Sequence, residues 1–255
     1  MTFIPKNAAE ITAMREGGKI LGKILKELGE ILEPGMSTWD LEKHAEKLFK
    51  HYGVKPGFKG YNGYPAILCT SVNNEVVHGI PNKIPLEKGD ILSIDCGVIH
   101  KELNTDSAIA VIVGGETAPI ARRLVDTCIR ALWKGIEQVK PGNTVGDIGH
   151  AIQKTVESEG FTIIKELTGH GIGYRLHEPP YIFNYGKKGE GEVLKAGATI
   201  AIEPIIGLGT AKIDTLDDDW TIVTRDGSLA IQHEHTVLVT ETGVEVLTLR
   251  EGERN

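Results

Sequence analysis

The chain has 255 residues, 40% of them hydrophobic, with 28 basic and 35 acidic side chains and a formal net charge of −7. That is enough apolar material for a real core, and the mild acid excess with no Lys/Arg stripe argues against a nucleic-acid partner. Three scattered cysteines, Cys69, Cys96 and Cys128, form no CxxC pair, which excludes a disulfide framework or zinc knuckle and fits a reducing, cytoplasmic setting.

The N-terminus lacks the apolar run of a signal peptide, and no stretch reaches the ~18 apolar residues of a membrane span. Apolar positions Ile11, Met14, Ile20, Ile24, Leu28, Ile31 and Leu32 recur at helical spacing over residues 8–33, and Pro34-Gly35 stops that helix. Ser37 or Thr38 opens a second, with Trp39, Leu41, Ala45, Leu48 and Phe49 on its apolar face. "ILSIDCGVI" (91–99) and "SAIAVIVG" (107–114) read as strands, being short β-branched runs bounded by Gly and Asp. Helical spacing returns from Ile120 to Val139, Pro141-Gly142 breaks it, and Thr144 opens a helix through Ile148, Ile152 and Val156.

"TIAIEPII" (199–206) and "HTVLVTETG" (235–243) repeat the strand signature. Between them, "KIDTLDDDWTIVTRDGSLAIQ" alternates like an extra hairpin, with Asp226-Gly227 as its turn. Only the tail, "REGERN" (250–255), reads as loose. Helices precede antiparallel strands, so the expected class is α+β, a curved sheet backed by helices.

The order of elements is also a repeat. "LEPGMSTWDL" (32–41) returns as "VKPGNTVGDI" (139–148), and "LEKGDILSID" (86–95) returns as "LKAGATIAIE" (194–203), at offsets of 107 and 108 residues. Such duplication predicts two similar halves, about 10–115 and 116–249, packed about a pseudo-twofold axis in one domain spanning 1–255. What matches across the halves is acidic: Asp95 and Glu203 each follow an apolar stretch. Each half also carries a His-x-x-Pro, His78 to Pro81 and His177 to Pro180.

Asp95, Asp106, Glu203 and Glu234 lie on or beside these strands. Any one of them alone reads better as a solvated strand end. Four together, flanked by His170 and His177, are better explained by metal, because a buried ionised acid is costly unless paired or coordinated. Two divalent cations balance four carboxylates, and oxygen donors with an imidazole suit Mn, Fe, Co or Zn. Such ions lower the pKa of water towards ~7, the chemistry of a hydrolase. The glycines around His170 allow close backbone approach. His170 is read as a ligand, His177 as a hydrogen-bond donor nearby, and His78 as its counterpart in the other half.

The motifs "VVHGIP" (76–81), "SIDCGV" (93–98), "NTDSA" (104–108), "GHGIG" (169–173), "HEPP" (177–180), "IEP" (202–204) and "QHEHT" (232–236) resemble those of the type I methionine aminopeptidases. The resemblance runs from about residue 5 to residue 249. It implies the pita-bread fold with pseudo-twofold symmetry, and removal of N-terminal methionine from peptides and nascent chains.

The resemblance also implies a dinuclear centre in which Asp106 and Glu234 bridge, His170 and Glu203 hold one ion, and Asp95 holds the other. Glu203 then doubles as proton shuttle. His177 would contact the scissile carbonyl oxygen, and His78 the amide nitrogen on the leaving side. Phe58, Tyr61, Tyr64, Cys69, Leu176 and Trp220 match the methionine pocket. Phe58, Leu176 and His233 depart from the usual residues, which bears on pocket shape and not on ligands. The resemblance further implies a monomer acting at the ribosome, with no membrane and no direct nucleic-acid role. A prolidase-type activity on the same fold and a ligand-less binding relative are the rival readings.

Overall fold

The computed structural model describes residues 3–253. Among them are four α-helices, two at the start of each half. Helix α1 (Ala8–Glu30) starts where the Asn7 side chain accepts from the N–H groups of Ala9 and Glu10, while Glu10 returns to the Asn7 N–H. Its Leu21, Ile24, Leu25 and Leu28 share one face and are fully buried. Gly18 is on that helix because a Cβ there would strike the Leu247 carbonyl, so α1 lies directly on the C-terminal segment.

Helix α2 (Thr38–Tyr52) is capped by Ser37 and Asp40, and α4 (Val145–Ser158) by Thr144 and Asp147. In both, the aspartate accepts from the backbone N–H and the hydroxyl of the capping residue. Helix α3 (Pro119–Ile136) begins on proline, which sacrifices no helical hydrogen bond at that position.

The sequence repeat is also a repeat of hydrogen bonds. Gly35 N–H donates to Leu86 O at 2.8 Å, and Gly142 N–H to Leu194 O at 3.2 Å. Leu86 N–H donates to Met36 O and Leu194 N–H to Asn143 O, both at 2.7 Å. Gly89 and Gly197 likewise donate to Val113 O and Val239 O, both at 2.9 Å.

All the strand pairs are antiparallel. In the first half, the long strand Ile91–His100 pairs with Leu103–Ile112 on one side and with Leu68–Val72 and Lys55–Pro56 on the other. In the second, a five-stranded sheet runs Val244–Val246, His235–Val239, Thr199–Ile202, Gly169–Gly171, Glu178–Ile182. Each half has its own apolar core. Leu21, Leu25 and Leu41 pack on Leu68, Leu92 and Ile94, whereas Leu124, Ile148 and Ile152 pack on Ile200, Ile202 and Val237. A fully buried Leu or Ile contributes on the order of 2 kcal/mol, so these cores dominate the scaffold's stability. A third cluster, including Met14, Phe58, Tyr64, Ile172 and Leu238, draws on both halves and underlies the site.

Three expectations need correction. The run 199–206 is two strands, Thr199–Ile202 and Ile205–Gly207, because Pro204 has no N–H to give to the ladder. The extra hairpin pairs Ile213–Thr215 with Ile222–Thr224 and turns at Leu216–Thr221, where Asp218 accepts from Trp220 N–H and Thr221 N–H. Asp226-Gly227 is a turn as well, but it leads to Ala230–Gln232, a strand of another sheet. Finally, residues 250–253 are not loose. Arg250 is buried, and its guanidinium reaches Ser107, His233, His235 and Glu253. Arg254 and Asn255 lie outside the described residues.

Candidate metal centre and its cavity

Register explains how distant acids come to face one another. Asp95 pairs with Ala108 and Gly97 with Asp106, so Asp95 and Asp106 are diagonal neighbours on one face of the sheet. In the other half Ile202 pairs with His235 and Ile205 with Gln232, which leaves Glu203-Pro204 opposite His233-Glu234.

The two halves are then stitched directly. Glu234 N–H donates to Ala108 O at 3.0 Å, Asp106 N–H to Thr236 Oγ1 at 2.9 Å, and Ser107 Oγ to Glu234 O at 2.7 Å. Ligand-type atoms of Asp106, His170 and Glu234 all fall within 4.8 Å of one another. His170 Nε2 is 3.7 Å from Glu203 Oε1, and its Nδ1 lies 2.9 Å from the Gly171 carbonyl. That carbonyl fixes the proton on Nδ1 and leaves the Nε2 lone pair free for a cation.

All five side chains are buried. Asp95 Oδ1, Asp106 Oδ1 and Glu234 Oε1 have no hydrogen-bond partner, an expensive arrangement for buried oxygens. Burial, and then the Asp106 and Glu203 charges, push the Asp95 carboxyl far above its usual range. Burial and the same crowding push Glu203 and Glu234 up as well, and burial brings Asp106 to about 7. Burial lowers His170 to about 3, with His177 adding to the effect. The imidazole is therefore a neutral donor, and the acids need either protons or cations. Orphaned oxygens, a neutral imidazole and an oxygen-rich donor set fit divalent metal.

These acids line a cavity of about 540 Å³, as does every other residue expected in the site. Phe58, Tyr64, Cys69 and Leu176 are buried in its wall. Tyr64 and Trp220 meet edge to face with ring centroids 5.0 Å apart, and the His78 ring stands 6.4 Å from Trp220. His78 adopts φ 61°, a left-handed conformation uncommon for a side-chain-bearing residue, at the end of the strand Glu75–Val77. Burial lowers the pKa of His78 to about 4 and lowers that of His177, so both rings are neutral at pH 7. His177 packs edge-on to His170 at 4.3 Å, and its Nδ1 is 2.9 Å from the Tyr61 hydroxyl.

Sequence reasoning missed several supporting residues. Gln232 Nε2 donates to Glu203 Oε2 at 3.0 Å, and Asn184 Nδ2 donates to the Glu203 carbonyl at 2.8 Å. Gln232 stands inside the quoted "QHEHT" motif; Asn184 carries no local signal. Lys6 and Glu178 form a buried ion pair of 2.7 Å that ties the N-terminal segment to the His177 loop. His233, His235 and Glu253 are close enough for a second metal group, but a guanidinium already sits there. Arg250 Nη2 is 3.1 Å from His233 Nε2 and 3.2 Å from His235 Nε2.

Antiparallel sheets that gather four acids and an imidazole beside an apolar cavity define a metal-dependent hydrolase. The chain belongs to metallopeptidase family M24, whose model matches residues 12–241. It is 45% identical over 250 residues to a methionine aminopeptidase of Clostridium acetobutylicum, covering 98% of this chain and 100% of that one. It is 42% identical over 246 residues to methionine aminopeptidase 1 of Bacillus subtilis, covering 96% and 99%.

The crystal structure of a methionine aminopeptidase from Thermotoga maritima superposes with a TM-score of 0.95 at 44% identity, over 98% of this chain and all of that one. A prolidase of Pyrococcus horikoshii shares the fold at TM-score 0.77 and 23% identity, but only 65% of that chain is covered. The architecture is the pita-bread fold. Among the described residues no helix is long and apolar enough to cross a membrane.

Proposed function

We propose that the chain is a metallo-aminopeptidase that hydrolyses the first peptide bond of polypeptides beginning with methionine. One observation carries the reading: five ligand-type side chains from both halves line one cavity together with apolar side chains, in a chain that matches a methionine aminopeptidase over 98% of its length. His170 and Glu203 would hold one divalent ion, Asp95 the other, and Asp106 and Glu234 both. Co, Mn, Fe and Zn all suit these donors. When bound, the ions supply Lewis acidity and make water nucleophilic at neutral pH.

The protein's own groups do the rest. Phe58, Tyr64, Cys69, Leu176 and Trp220 take up the apolar side chain, which aligns the first peptide bond with the acids. His177 donates a hydrogen bond to the carbonyl oxygen as negative charge develops there. Glu203 takes a proton from the attacking water and delivers it to the leaving nitrogen as the C–N bond breaks. His78 faces that nitrogen from the other side. Residues 1–255 act as one catalytic unit built from the halves 10–115 and 116–249. The reading puts the enzyme in the cytoplasm, as a monomer that meets nascent chains at the ribosome.

The test compares Met-Ala-Ser with Ala-Pro-Ala after separate loading with Co, Mn, Fe and Zn. Cleavage of the first substrate alone is expected. Preference for Ala-Pro-Ala would make the chain a prolidase-type enzyme instead, and inactivity with every metal would refute both.

A further inference from the structure

Tyr61 and Tyr64 belong to one tight loop and are used in opposite ways. Tyr64 is buried, and its hydroxyl lies 2.9 Å from the Leu68 carbonyl and 3.1 Å from that of Gly79. It anchors the loop. Gly60 N–H donates to Tyr64 O, and Tyr61 N–H to Phe58 O, both at 2.8 Å. Gly60, Asn62 and Gly63, on either side of Tyr61, take φ values of 88°, 47° and 90°, left-handed conformations that glycine and asparagine tolerate. Tyr61 within this turn is 36% exposed and still lines the cavity.

There its hydroxyl meets His177 Nδ1 at 2.9 Å. Among the described residues nothing else hydrogen-bonds the His177 ring, which is packed edge-on against both Tyr61 and His170. The direction of the bond follows from acid–base chemistry. A phenol is a far stronger acid than a neutral imidazole N–H, and an imidazole lone pair is a far better acceptor than a phenol oxygen. The hydroxyl therefore donates, Nδ1 accepts, and the ring proton is forced onto Nε2. The opposite tautomer would aim a lone pair at the substrate's carbonyl oxygen.

We infer that Tyr61 is the positioning residue for His177, holding it in the tautomer whose Nε2–H points at the scissile carbonyl oxygen. The inference rests on the peptidase reading for the identity of that oxygen. It departs from a role for Tyr61 as pocket wall, since a wall needs only the ring and positioning needs the hydroxyl. The histidine orienter is thus supplied by the loop at residues 58–64, 116 residues from the ring it sets.

Tyr61→Phe separates the two roles, because it keeps the ring and removes a partly exposed hydroxyl. With Met-Ala-Ser, kcat is expected to fall about tenfold, the value of one hydrogen bond, while KM stays within about twofold. In zinc-loaded protein labelled with 15N-histidine, His177 is expected to be a single Nε2–H form that becomes a tautomer mixture in Tyr61→Phe. Its resonances are assigned by their loss in His177→Gln. An unchanged kcat in Tyr61→Phe, or a parent protein whose His177 carries its proton on Nδ1, would overturn the inference. The tautomer measurement needs no turnover, so failure to cleave Met-Ala-Ser would sink the peptidase reading alone.

Discussion

Asp95 and Glu203 occupy matching places in the two halves, and their surroundings differ in a way that assigns them different work. Asp95 sits within an unbroken ten-residue strand, paired by register with Cys69 on one side and Ala108 on the other. Its Oδ1 has no hydrogen-bond partner. Glu203 sits where Pro204 interrupts the ladder; its carbonyl accepts from Asn184, and the Pro204 carbonyl accepts from the Cys128 thiol at 3.2 Å as well as from His233 N–H at 3.4 Å. One of its side-chain oxygens is held by Gln232, and the other faces His170. A short acid on a rigid ladder with a bare oxygen is suited to coordination alone. A longer acid at a ladder break, hydrogen-bonded through one oxygen and open at the other, can also carry a proton. The repeat sets the two acids at equivalent places, and side-chain length together with Pro204 makes them unequal.

The largest effect should come from exchanging the roles. Glu203→Gln is expected to cost roughly 10²–10⁴ in kcat, the usual contribution of a general base, and added metal should not restore it. Asp95→Asn should instead weaken metal affinity, so that much of its activity returns at high metal concentration. Metal titrations of kcat for the two variants check this. Full recovery of Glu203→Gln by metal would erase the distinction.

Withdrawing the metal tests both acids together. At free metal about 100-fold above Kd, one bound ion stabilises the fold by about 2.7 kcal/mol. For a chain of this length that corresponds to a rise in Tm of roughly 5–10 °C, readable by thermal melts with and without a chelator. The rise should shrink in Asp95→Asn. No rise in the parent protein would deny that the buried acids hold a cation.

Gln232→Leu is the next step down. It strips the donor from Glu203 Oε2 without touching Asp95. Loss of an outer hydrogen bond to a ligand costs about tenfold in affinity or activity at the low end of what such partners are worth. Metal-bound turnover and metal affinity measured side by side would locate the loss. An equal loss in the Asp95 and Glu203 functions would mean that Gln232 supports the whole centre.

Much of this was legible in the sequence because the duplication writes each important element twice. The helix starts at Ser37 and Thr144, and the apolar runs that lead into Asp95 and Glu203, follow from local pattern. What was illegible is non-local. Leu68–Val72 is buried almost throughout and Gly169–Gly171 is only three residues long, so neither shows the alternation that marks a strand. The tail reads as charged and loose until Arg250 is seen buried against Ser107 and the rings of His233 and His235, partners 15 to 143 residues away. The hairpin turn was misplaced because Asp-Gly is a strong local signal, whereas the closing turn at Leu216–Thr221 depends on the Asp218 side chain. Tyr61 matched a pocket position, and its bond to His177 has no sequence trace at all.

The smallest expected effect compares the two helix caps. Ser37 Oγ both donates to Asp40 Oδ2 at 2.6 Å and accepts from the Asp40 N–H at 3.2 Å. Thr144 Oγ1 likewise donates to Asp147 Oδ2 at 2.9 Å, and in both caps the aspartate N–H also donates to the cap residue's backbone carbonyl, at 3.0 Å for Ser37 and 3.1 Å for Thr144. Replacing Ser37 by Ala therefore removes one contact more than Thr144→Ala does and should cost about 1 kcal/mol, against about half of that for Thr144→Ala. The corresponding falls in Tm are roughly 2–4 °C and 1–2 °C. Neither side chain touches the cavity, so kcat on Met-Ala-Ser should be unchanged in both. Equal destabilisation would mean that the carboxylate contact, common to the two caps, outweighs the extra contact from the Asp40 N–H to Ser37 Oγ.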